Sequence, residues 1–321
     1  NEGAKTLIEG LDDTQSAMGG RMLRRWLALP LKNKKQISER NNIVQQMLAD
    51  DKLSAVLSEE ISRIGDLERL ISKVATLRIN PRECARLKDA LIALKPIQEV
   101  CSTSEKDLQQ LTSKINTCEK IKERIETELS DNPPMLLHKG NVMKEGVNAE
   151  LDELRSIQNS GKEYLNKMLE REIERTGISS LKISFNNVFG YYLEVRNRFM
   201  EQVPEEWIRK QTLVSAERYI TEELKEYEHK ILSAEGRISE IENRLFTELV
   251  QSIAVHIKEI QINAFIVSQL DCLLSFSSIA KKNNYAKPSV NNSSDLVIKK
   301  GRHPVIEQQL EMGDPYIPND L

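Results

Sequence analysis

The feature that most constrains the fold is a long helical pattern in which apolar residues are spaced alternately three and four apart. The residues of this pattern are Leu224, Tyr227, Ile231, Ala234, Ile238, Ile241 and Leu245. Such spacing forms the seam of a coiled coil. Steps of four at Leu249, Ile253 and Ile257 then indicate a stutter. Continued to about Lys282, the pattern predicts one helix of roughly 60 residues, on the order of 90 Å long, with Gly236 as its weakest point.

A period-two pattern precedes this helix. Between residues 181 and 196, apolar and polar residues alternate on either side of a turn at residues 187–190. This alternation predicts a β-hairpin, because successive side chains of a strand point to opposite faces. Residues 211–214 and 217–220 predict a second, shorter hairpin around Ser215-Ala216.

A helical pattern over residues 148–176 lies on the other side of the predicted sheet. Two long helices therefore flank a β module of roughly 40 residues, which buries too little apolar surface to fold well alone. We predict a mainly α fold: a helical lever bundle in which two long antiparallel coiled-coil helices carry a small antiparallel β module at the tip.

The first third of the chain is typical of a series of medium helices with recognisable start and stop signals. Residues 14–29 form one helix ended by Pro30, and Asn33 is the predicted cap of the next. Residues 80–83 read Asn-Pro-Arg-Glu, which combines a capping box with Pro at the first helical position. A longer helix is predicted from Lys106 to Leu129.

The order of these patterns predicts five segments. They are a first helical part (1–147), an outgoing coiled-coil helix (148–176), the β module (177–221), a long return helix (222–282), and a linker that opens a further domain (283–321). In the last segment, Leu296-Val297-Ile298 predicts a short strand. The chain begins with Asn1 and not Met, so we interpret it as a fragment.

The overall charge excludes a histone-like polycation, because 46 basic and 49 acidic residues give a net charge of −3. Any contact with nucleic acid must then come from local charge placement. No apolar run approaches the roughly 18 residues needed to span a membrane, and no signal peptide opens the chain. The four cysteines have no Cys-x-x-Cys spacing and no adjacent His, which favours buried thiols of a reduced, cytoplasmic protein over a metal site.

Residues 207–215 are the best candidate for a contact surface. Arg209 and Lys210 are adjacent cations, and amide and hydroxyl donors follow with no acidic residue between them. Phosphate oxygens accept from such groups whatever the base sequence. Over residues 181–220, however, six basic and five acidic residues leave only +1. Charge alone therefore leaves two interpretations of this segment open, a DNA contact and a solvated strand edge. The long helix also has two interpretations, a structural spacer and a lever that transmits motion.

Enzyme signatures are missing from the sequence. The pair Gly161-Lys162 would need Gly five positions earlier and Ser or Thr after it to form a phosphate loop, but Ser156 and Glu163 occupy those places. The four histidines are scattered without a nucleophile, and no carboxylate cluster resembles a metal or acid–base site. The chain is predicted to be non-enzymatic and to hold no cofactor or metal of its own.

Several stretches together resemble the MutS family of mismatch repair ATPases, in family order and over essentially the whole chain. They are residues 14–23, 64–69, 185–192, 210–220 with 223–228, and 301–305. The most specific motifs are Ala216-Glu217-Arg218-Tyr219-Ile220 with Glu223-Leu224-Lys225, and Met18-Gly19-Gly20-Arg21.

The resemblance implies that the chain is the family's helical core and lever domain, interrupted by the clamp domain, a small sheet that holds duplex DNA through backbone contacts. The matched positions on the DNA side are Arg209, Lys210, Thr212, Val214 and Ser215, with Asn187 as a weaker candidate. Tyr316 and Ile317 match positions that pack against adenine in the ATPase domain, and an aromatic ring suits that role.

The chain departs from the family pattern in two ways. It has no phosphate loop, and it has no amino-terminal mismatch-reading domain with a Phe-x-Glu wedge; Phe246-Thr247-Glu248 fits that wedge by chance within a helix. The chain by itself is therefore expected neither to hydrolyse ATP nor to recognise a mispair.

We accordingly expect a non-catalytic segment that clamps double-stranded DNA and transmits motion to and from an ATPase domain outside the chain. The resemblance implies that the full-length protein is a cytoplasmic, DNA-dependent ATPase that uses ATP and Mg, forms a homodimer and acts with a MutL-type repair factor. The alternative is a coiled-coil scaffold whose β tip binds a protein partner.

Overall fold

The computed structural model describes residues 6–186, 188, 190–310 and 316–321. The chain divides into two compact units: a helical unit, Asn1–Glu126 with Leu249–Leu321, and a sheet-bearing unit, Thr127–Glu248. The division reflects the sequence, because apolar helical patterns dominate the first unit and the period-two pattern lies within the second.

The secondary-structure elements follow one another in this order. The helices are α1 (Leu7–Leu11), α2 (Ala17–Ala28), α3 (Lys34–Ala49), α4 (Asp51–Ile64), α5 (Leu67–Ala75), α6 (Pro81–Ser102), α7 (Lys106–Thr112), α8 (Glu119–Glu128), α9 (Ala149–Thr176), α10 (Glu222–Ala254), α11 (Ile257–Asn283) and α12 (Pro304–Glu307). The strands are β1 (Lys182–Asn186), β2 (Gly190–Arg196), β3 (Ile208–Thr212) and β4 (Ala216–Ile220), and short 3-10 helices lie at Leu137–Lys139 and Asn197–Gln202.

The predicted helix starts in the helical unit are confirmed at the level of individual hydrogen bonds. Asn33 caps α3, because its side-chain oxygen accepts from the N–H of Gln36 at 3.2 Å. At α6 the capping box is complete: Asn80 Oδ1 accepts from Glu83 N at 2.9 Å, and Glu83 Oε2 accepts from Asn80 N at 3.2 Å. Each bond satisfies a donor that the first helical turn cannot pair internally.

Helix α11 forms the centre of the helical unit and packs against α2, α3, α4 and α5. Its most apolar 18-residue window has a mean hydropathy of 1.4, so by length and composition α11 would suffice to cross a membrane. The prediction that no apolar segment is long enough to span a membrane is therefore wrong for α11, by length and composition alone. Since 67% of that window is buried within the structure, neighbouring helices supply its apolar surroundings, as in the core helix of a globular domain.

The single helix predicted from Lys106 to Leu129 is wrong, because the chain forms α7 and α8 with a loop between them. The buried side chain of Asn263 on α11 holds this loop. Its Oδ1 accepts from Asn116 N at 2.9 Å, and its Nδ2 donates to Asn116 O at 2.6 Å. Cys118 then takes a positive φ of 50° immediately before α8. A pattern of apolar spacing cannot reveal a partner that lies 147 residues away.

The single return helix predicted over residues 222–282 is also wrong. Helix α10 ends at Ala254 and α11 begins at Ile257. His256 closes α10 with an N–H bond to Ile253 O at 2.9 Å, and its φ of −99° and ψ of 15° depart from helical geometry. The break falls within the predicted stutter. Helix α10, before the break, has an apolar stripe along one side, whereas α11, after it, is buried on most sides.

The strand predicted at residues 296–298 does not form among the described residues. Ile298 instead exchanges two backbone hydrogen bonds with Leu321, each of 2.8 Å, and Gly301 forms an isolated bridge with Asn319. Single bridges leave most strand positions unpaired, so an apolar, β-branched run is not enough to build a strand here.

The sheet-bearing unit contains a four-stranded antiparallel sheet in the order β1-β2-β4-β3. Both predicted hairpins are confirmed, although the second is shifted: Ala216 begins β4 and does not lie in the turn. One face of the sheet packs into an apolar cluster that includes residues of α9 and α10. Its buried members are Leu165, Met168, Ile178, Leu181, Leu193, Val195, Trp207, Tyr219, Leu224 and Ile231.

Helices α9 and α10 lie antiparallel in contact with each other. Arg155 pairs with Glu242, and further along α9 Tyr164 stacks on Tyr227 with ring centroids 4.5 Å apart. Residue numbers rise along α9 as those of its partners fall, so the helices run in opposite directions.

Candidate nucleic-acid interface

The turn between β3 and β4, residues 213–215, forms one end of the sheet, and we call it the tip. The side chain of Val214 is fully exposed, at 101% of its reference area. Asn197 holds the turn from the end of β2: its Nδ2 donates to Val214 O at 3.0 Å, and its backbone N donates to Ser215 O at 3.2 Å. Val214 and Ser215, both predicted contact residues, are thus presented to solvent on a fixed backbone.

A β-bulge in β3 sets the positions of the predicted cations. Arg209 pairs with Tyr219 in the register, but the next pair is Gln211 with Arg218, so Lys210 has no partner on β4. Bulges re-aim side chains next to functional surfaces. Lys210 is exposed and forms no ion pair within the described part of the chain. Of the two predicted cations, it is the one without an internal partner.

Arg209 and Thr212 both face a buried carboxylate, Glu217, which is 2% exposed. Arg209 Nη1 donates to Glu217 Oε1 at 3.2 Å, and Thr212 Oγ1 donates to the same oxygen at 3.4 Å. The hydroxyl of Tyr219 donates to Glu217 Oε2. This hydroxyl bond and the nearby Arg209 charge lower the pKa of Glu217, and burial with the same bond raises the pKa of Tyr219 to about 12. Arg209 therefore balances a charge inside the sheet.

The opposite face of the sheet has its own polar network, centred on Arg218. Its guanidinium lies 4.4 Å from the centroid of the Tyr192 ring, a cation–π contact. It also donates to Gln211 Oε1 at 2.8 Å and to Glu194 Oε2 at 3.5 Å. The carboxylates of Glu194 and Glu217, on β2 and β4, are thus both bonded within the sheet.

Two further cations, which were not predicted from the sequence, lie beside the tip. Arg196 is directly opposite Ala216, the first residue after the tip, and Arg198 follows Asn197, whose side chain bonds the tip. Arg196 and Arg198 are exposed and form no ion pair among the residues described. No local signal could have found them, because only the β2–β4 register brings residues about 20 positions apart together.

The weaker predicted contact, Asn187, belongs to the predicted turn between β1 and β2. Asn187 is outside the described residues. Tyr191, just after that turn, donates its N–H to Glu228 on α10 at 3.3 Å. Arg196 lies at the other end of β2, opposite Ala216 and the tip. The paired residues Asn186 and Gly190, at the ends of β1 and β2, are therefore at the end of the sheet opposite the tip.

The two residues matched to an adenine site lie near the end of the chain. The hydroxyl of Tyr316 accepts from the backbone N of His303 at 2.9 Å, and the side chain of Ile317 is 77% exposed. Their role towards a nucleotide stays a prediction.

The cysteines are all buried and free, and burial raises the pKa of each thiol, to about 12 for Cys84 and Cys101 and about 11 for Cys118. Thiols of this kind are poor nucleophiles and poor metal ligands. Over the described ranges, no three His, Cys, Asp or Glu side chains are placed to hold a metal ion.

Comparison with known proteins identifies the class to which this chain belongs. The family described as MutS domain III matches residues 1–277. The chain is 52% identical over 322 aligned positions to the DNA mismatch repair protein MutS of Bacteroides fragilis, and 53% identical over 322 positions to that of Flavobacterium psychrophilum. A third relative, MutS of Cytophaga hutchinsonii, is 53% identical over 316 positions. The chain belongs to the MutS family, which confirms the resemblance.

The match covers nearly all of this chain but little of its relatives. It extends over 98% to 100% of the chain and only 37% of the length of these three MutS proteins.

Proposed function

We propose that this chain serves in DNA mismatch repair as a non-catalytic clamp and lever segment, whose tip contacts the backbone of duplex DNA. The observation that carries the proposal is the charge around the tip. Arg196, Arg198 and Lys210 are exposed without internal ion pairs among the described residues, whereas the nearby carboxylates of Glu194 and Glu217 are bonded inside the sheet.

Such a surface suits phosphates and not base edges. Guanidinium and ammonium groups neutralise phosphate charge and release condensed counterions whatever the sequence. Ser215 and Thr212 can add hydroxyl donors, although Thr212 already bonds Glu217. Affinity from so few contacts is weak and falls steeply with salt. The tip would therefore hold a duplex in place and leave mispair recognition to another part of the protein.

The paired helices α9 and α10 would transmit motion between the tip and an ATPase domain outside the chain. Polar side chains join them at several levels: Arg155 to Glu242 at 2.5 Å, Gln158 to Glu235 at 3.1 Å, and Arg171 to Glu223 at 2.6 Å. Bonds of this kind, spaced along two helices, resist sliding of one helix past the other. In the full-length protein, ATP and Mg would bind that ATPase domain, with Tyr316 and Ile317 against the adenine.

The remaining parts of the proposal concern the intact protein. We infer a cytoplasmic homodimer that acts on mismatched duplexes together with a MutL-type factor. Family membership supports this assignment, since the three relatives are named DNA mismatch repair proteins.

Charge reversal at the tip tests the proposal. Lys210→Glu combined with Arg196→Glu, made in the protein that contains this chain, should weaken binding to a matched duplex at least tenfold at low salt. Fluorescence anisotropy across a salt series measures both affinity and slope. Lys225→Glu with Lys230→Glu, on exposed positions of α10, is the matched control. Unchanged affinity in the tip variant, with the control also unchanged, would exclude the tip as a DNA contact.

The second candidate function is a scaffold whose tip binds protein. The complete exposure of Val214 favours it, because a protein partner that covered this apolar side chain would remove its surface from water. Competition decides between the two. If matched duplex DNA does not protect the tip from modification at a Val214→Cys thiol but a protein partner does, the scaffold is correct.

A further inference from the structure

The helical unit carries a strongly basic surface that the clamp and lever proposal does not use. Between Thr14 and Ser38 the sequence has six basic residues and no acidic one, in a chain whose net charge is −3. Arg21 is bound to Asp66 and Glu68. The other five are exposed, and we call them the basic patch: Arg24, Arg25, Lys32, Lys34 and Lys35.

The fold places these five side chains close together on the outside of the unit. Helix α2 turns Met18 and Leu23 inward, in its packing against α11, which leaves Arg24 and Arg25 in solvent. Only residues 29–33 connect the end of α2 to the start of α3. Since an extended residue spans at most about 3.6 Å, the two helix ends lie within about 20 Å of each other.

Internal ion pairs do not account for the basic patch. Across the described part of the chain, Arg24, Arg25, Lys32 and Lys34 take part in none, and Lys35 reaches Glu39 only at 3.9 Å. By contrast, Arg21, one helical turn before Arg25, is held by two carboxylates. The patch therefore keeps nearly all of its charge available.

Two of the lysines occupy an unfavourable position for stability. Lys34 and Lys35 lie in the first turn of α3, which has no acidic residue there and is capped by the neutral Asn33. The positive end of the helix dipole repels cations, and helices commonly place Asp or Glu at this point. Local rules broken without compensation are typical of functional surfaces. An external anion would turn this repulsion into attraction.

We propose that the basic patch is a second surface for the phosphate backbone of duplex DNA, separate from the tip. A duplex presents one phosphate per about 1.7 Å of its axis, so a surface up to about 20 Å wide meets several phosphates at once. The nearby aromatic ring of Trp26 is already covered by Arg40, whose guanidinium lies 3.4 Å from the ring centroid. The available groups are flexible cations, which suits binding without base readout. The inference rests on the proposed role in DNA repair.

The test replaces all five residues of the basic patch by Gln in the protein that contains this chain. Binding of a matched duplex is measured by anisotropy between about 50 and 200 mM salt. Each lost phosphate contact removes about 0.9 from the slope of log affinity against log salt, so loss of three contacts lowers its magnitude by about 3. The matched control carries five Gln substitutions at exposed lysines of the same unit: Lys52, Lys106, Lys120, Lys258 and Lys299.

The outcomes separate this inference from the proposed function. A reduced slope in the patch variant, with the control unchanged, supports the second surface. An unchanged slope in the patch variant overturns the inference, while a tip variant that still loses affinity leaves the proposed function intact. Loss of binding to an acidic polypeptide such as poly-glutamate, with duplex binding retained, would also overturn it and assign the patch to a protein. If the five-site variant melts early, Lys32→Gln with Lys34→Gln serves instead, with an expected change in slope of about 2.

Discussion

Arg155 on α9 and Glu242 on α10 form an ion pair with 2.5 Å between Nη2 and Oε1, although 87 residues separate them in the chain. Glu242 is 1% exposed. The same carboxylate oxygen accepts from Val142 N at 3.0 Å, and Arg155 Nη2 also donates to Met143 O at 2.9 Å. One ion pair therefore joins both long helices to the segment that precedes α9.

Removal of the arginine from this pair should strongly lower the free energy of unfolding. Arg155→Ala leaves the Glu242 carboxylate buried with the Val142 N–H as its one donor among the described residues. Breaking a buried pair from one side costs about 3–5 kcal/mol. We expect that loss in the free energy of unfolding measured with urea. Arg155→Met with Glu242→Met should recover most of it, because neither charge of the pair then remains buried. A double variant as unstable as Arg155→Ala would contradict this explanation.

Two glycines in the paired helices should respond in opposite directions to alanine. A Cβ on Gly161 would lie 2.3 Å from the hydroxyl of Tyr227, whereas a Cβ on Gly236 would meet no atom within 4 Å. Gly236→Ala should stabilise the protein by about 1 kcal/mol through helix propensity. Gly161→Ala should destabilise it by about 1–3 kcal/mol, the usual cost of overpacking. Tyr227→Phe, added to Gly161→Ala, should restore stability in thermal melts; no recovery would show that the hydroxyl is not the obstacle.

A second glycine pair tests the Met18-Gly19-Gly20-Arg21 motif. A Cβ on Gly19 would lie 2.1 Å from Oδ2 of the buried Asp271, but a Cβ on Gly20 would be 3.4 Å from its nearest neighbour, Thr14 Oγ1. Asp271 also accepts from the hydroxyl of Ser16 at 2.6 Å, so it cannot move aside freely. Gly19→Ala should lower the free energy of unfolding by more than about 2 kcal/mol, with Gly20→Ala near neutral. Equal effects of the two substitutions would refute the close contact.

Much of this architecture could be predicted from local sequence. The caps at Asn33 and Asn80 and the two hairpins follow from spacing over a few residues, and the antiparallel order of α9 and α10 follows from the β module that lies between them in the sequence. The helix predicted between Lys106 and Leu129 failed because of a distant partner. Asn263 interrupts the helix predicted between Lys106 and Leu129 from 147 residues away.

The candidate site also has features that could be predicted from the sequence and features that could not. Lys210 could be selected from the sequence because charge is a local property, whereas Val214 was selected only from the position matched in the family resemblance. The β-bulge at Lys210 and the cross-strand position of Arg196 could not, because both depend on strand register. Nor could charge counting show that Glu217 already uses Arg209.

The bond between Tyr219 and Glu217 predicts a change in acid stability. The pKa of Glu217 is held below its ordinary value of 4.5, chiefly by the Tyr219 hydroxyl. The unfolded chain therefore binds a proton first as pH falls. The stability contributed by Glu217 is complete above its unfolded pKa and is lost as pH falls through its lower folded pKa. Tyr219→Phe raises that folded pKa towards 4.5.

Unfolding measured between about pH 3 and 6 should thus depend less steeply on pH in Tyr219→Phe than in the unmodified protein. Tyr192→Phe, whose hydroxyl is on the other face of the sheet, is the control. Identical pH profiles for all three proteins would mean that the Tyr219 hydroxyl does not lower the pKa of Glu217.

The two adjacent cations of β3 should separate stability from DNA binding. The side chain of Arg209 is 63% exposed, but it is bonded to the buried carboxylate of Glu217. Because Arg209→Ala removes this bond, it should lower the free energy of unfolding by roughly 1–2 kcal/mol. Lys210 lies on the bulge without an internal partner among the described residues, so Lys210→Ala should leave stability within about 0.5 kcal/mol. For duplex binding we expect the larger effect from Lys210→Ala. It should lower the magnitude of the slope of log affinity against log salt by about 0.9. Arg209→Ala, measured at a temperature where it is folded, should change this slope less. Chemical denaturation and anisotropy on the same preparations measure both quantities. A larger slope change for Arg209→Ala would show that Arg209 leaves Glu217 to bind DNA, and that the sheet and the phosphate compete for one guanidinium.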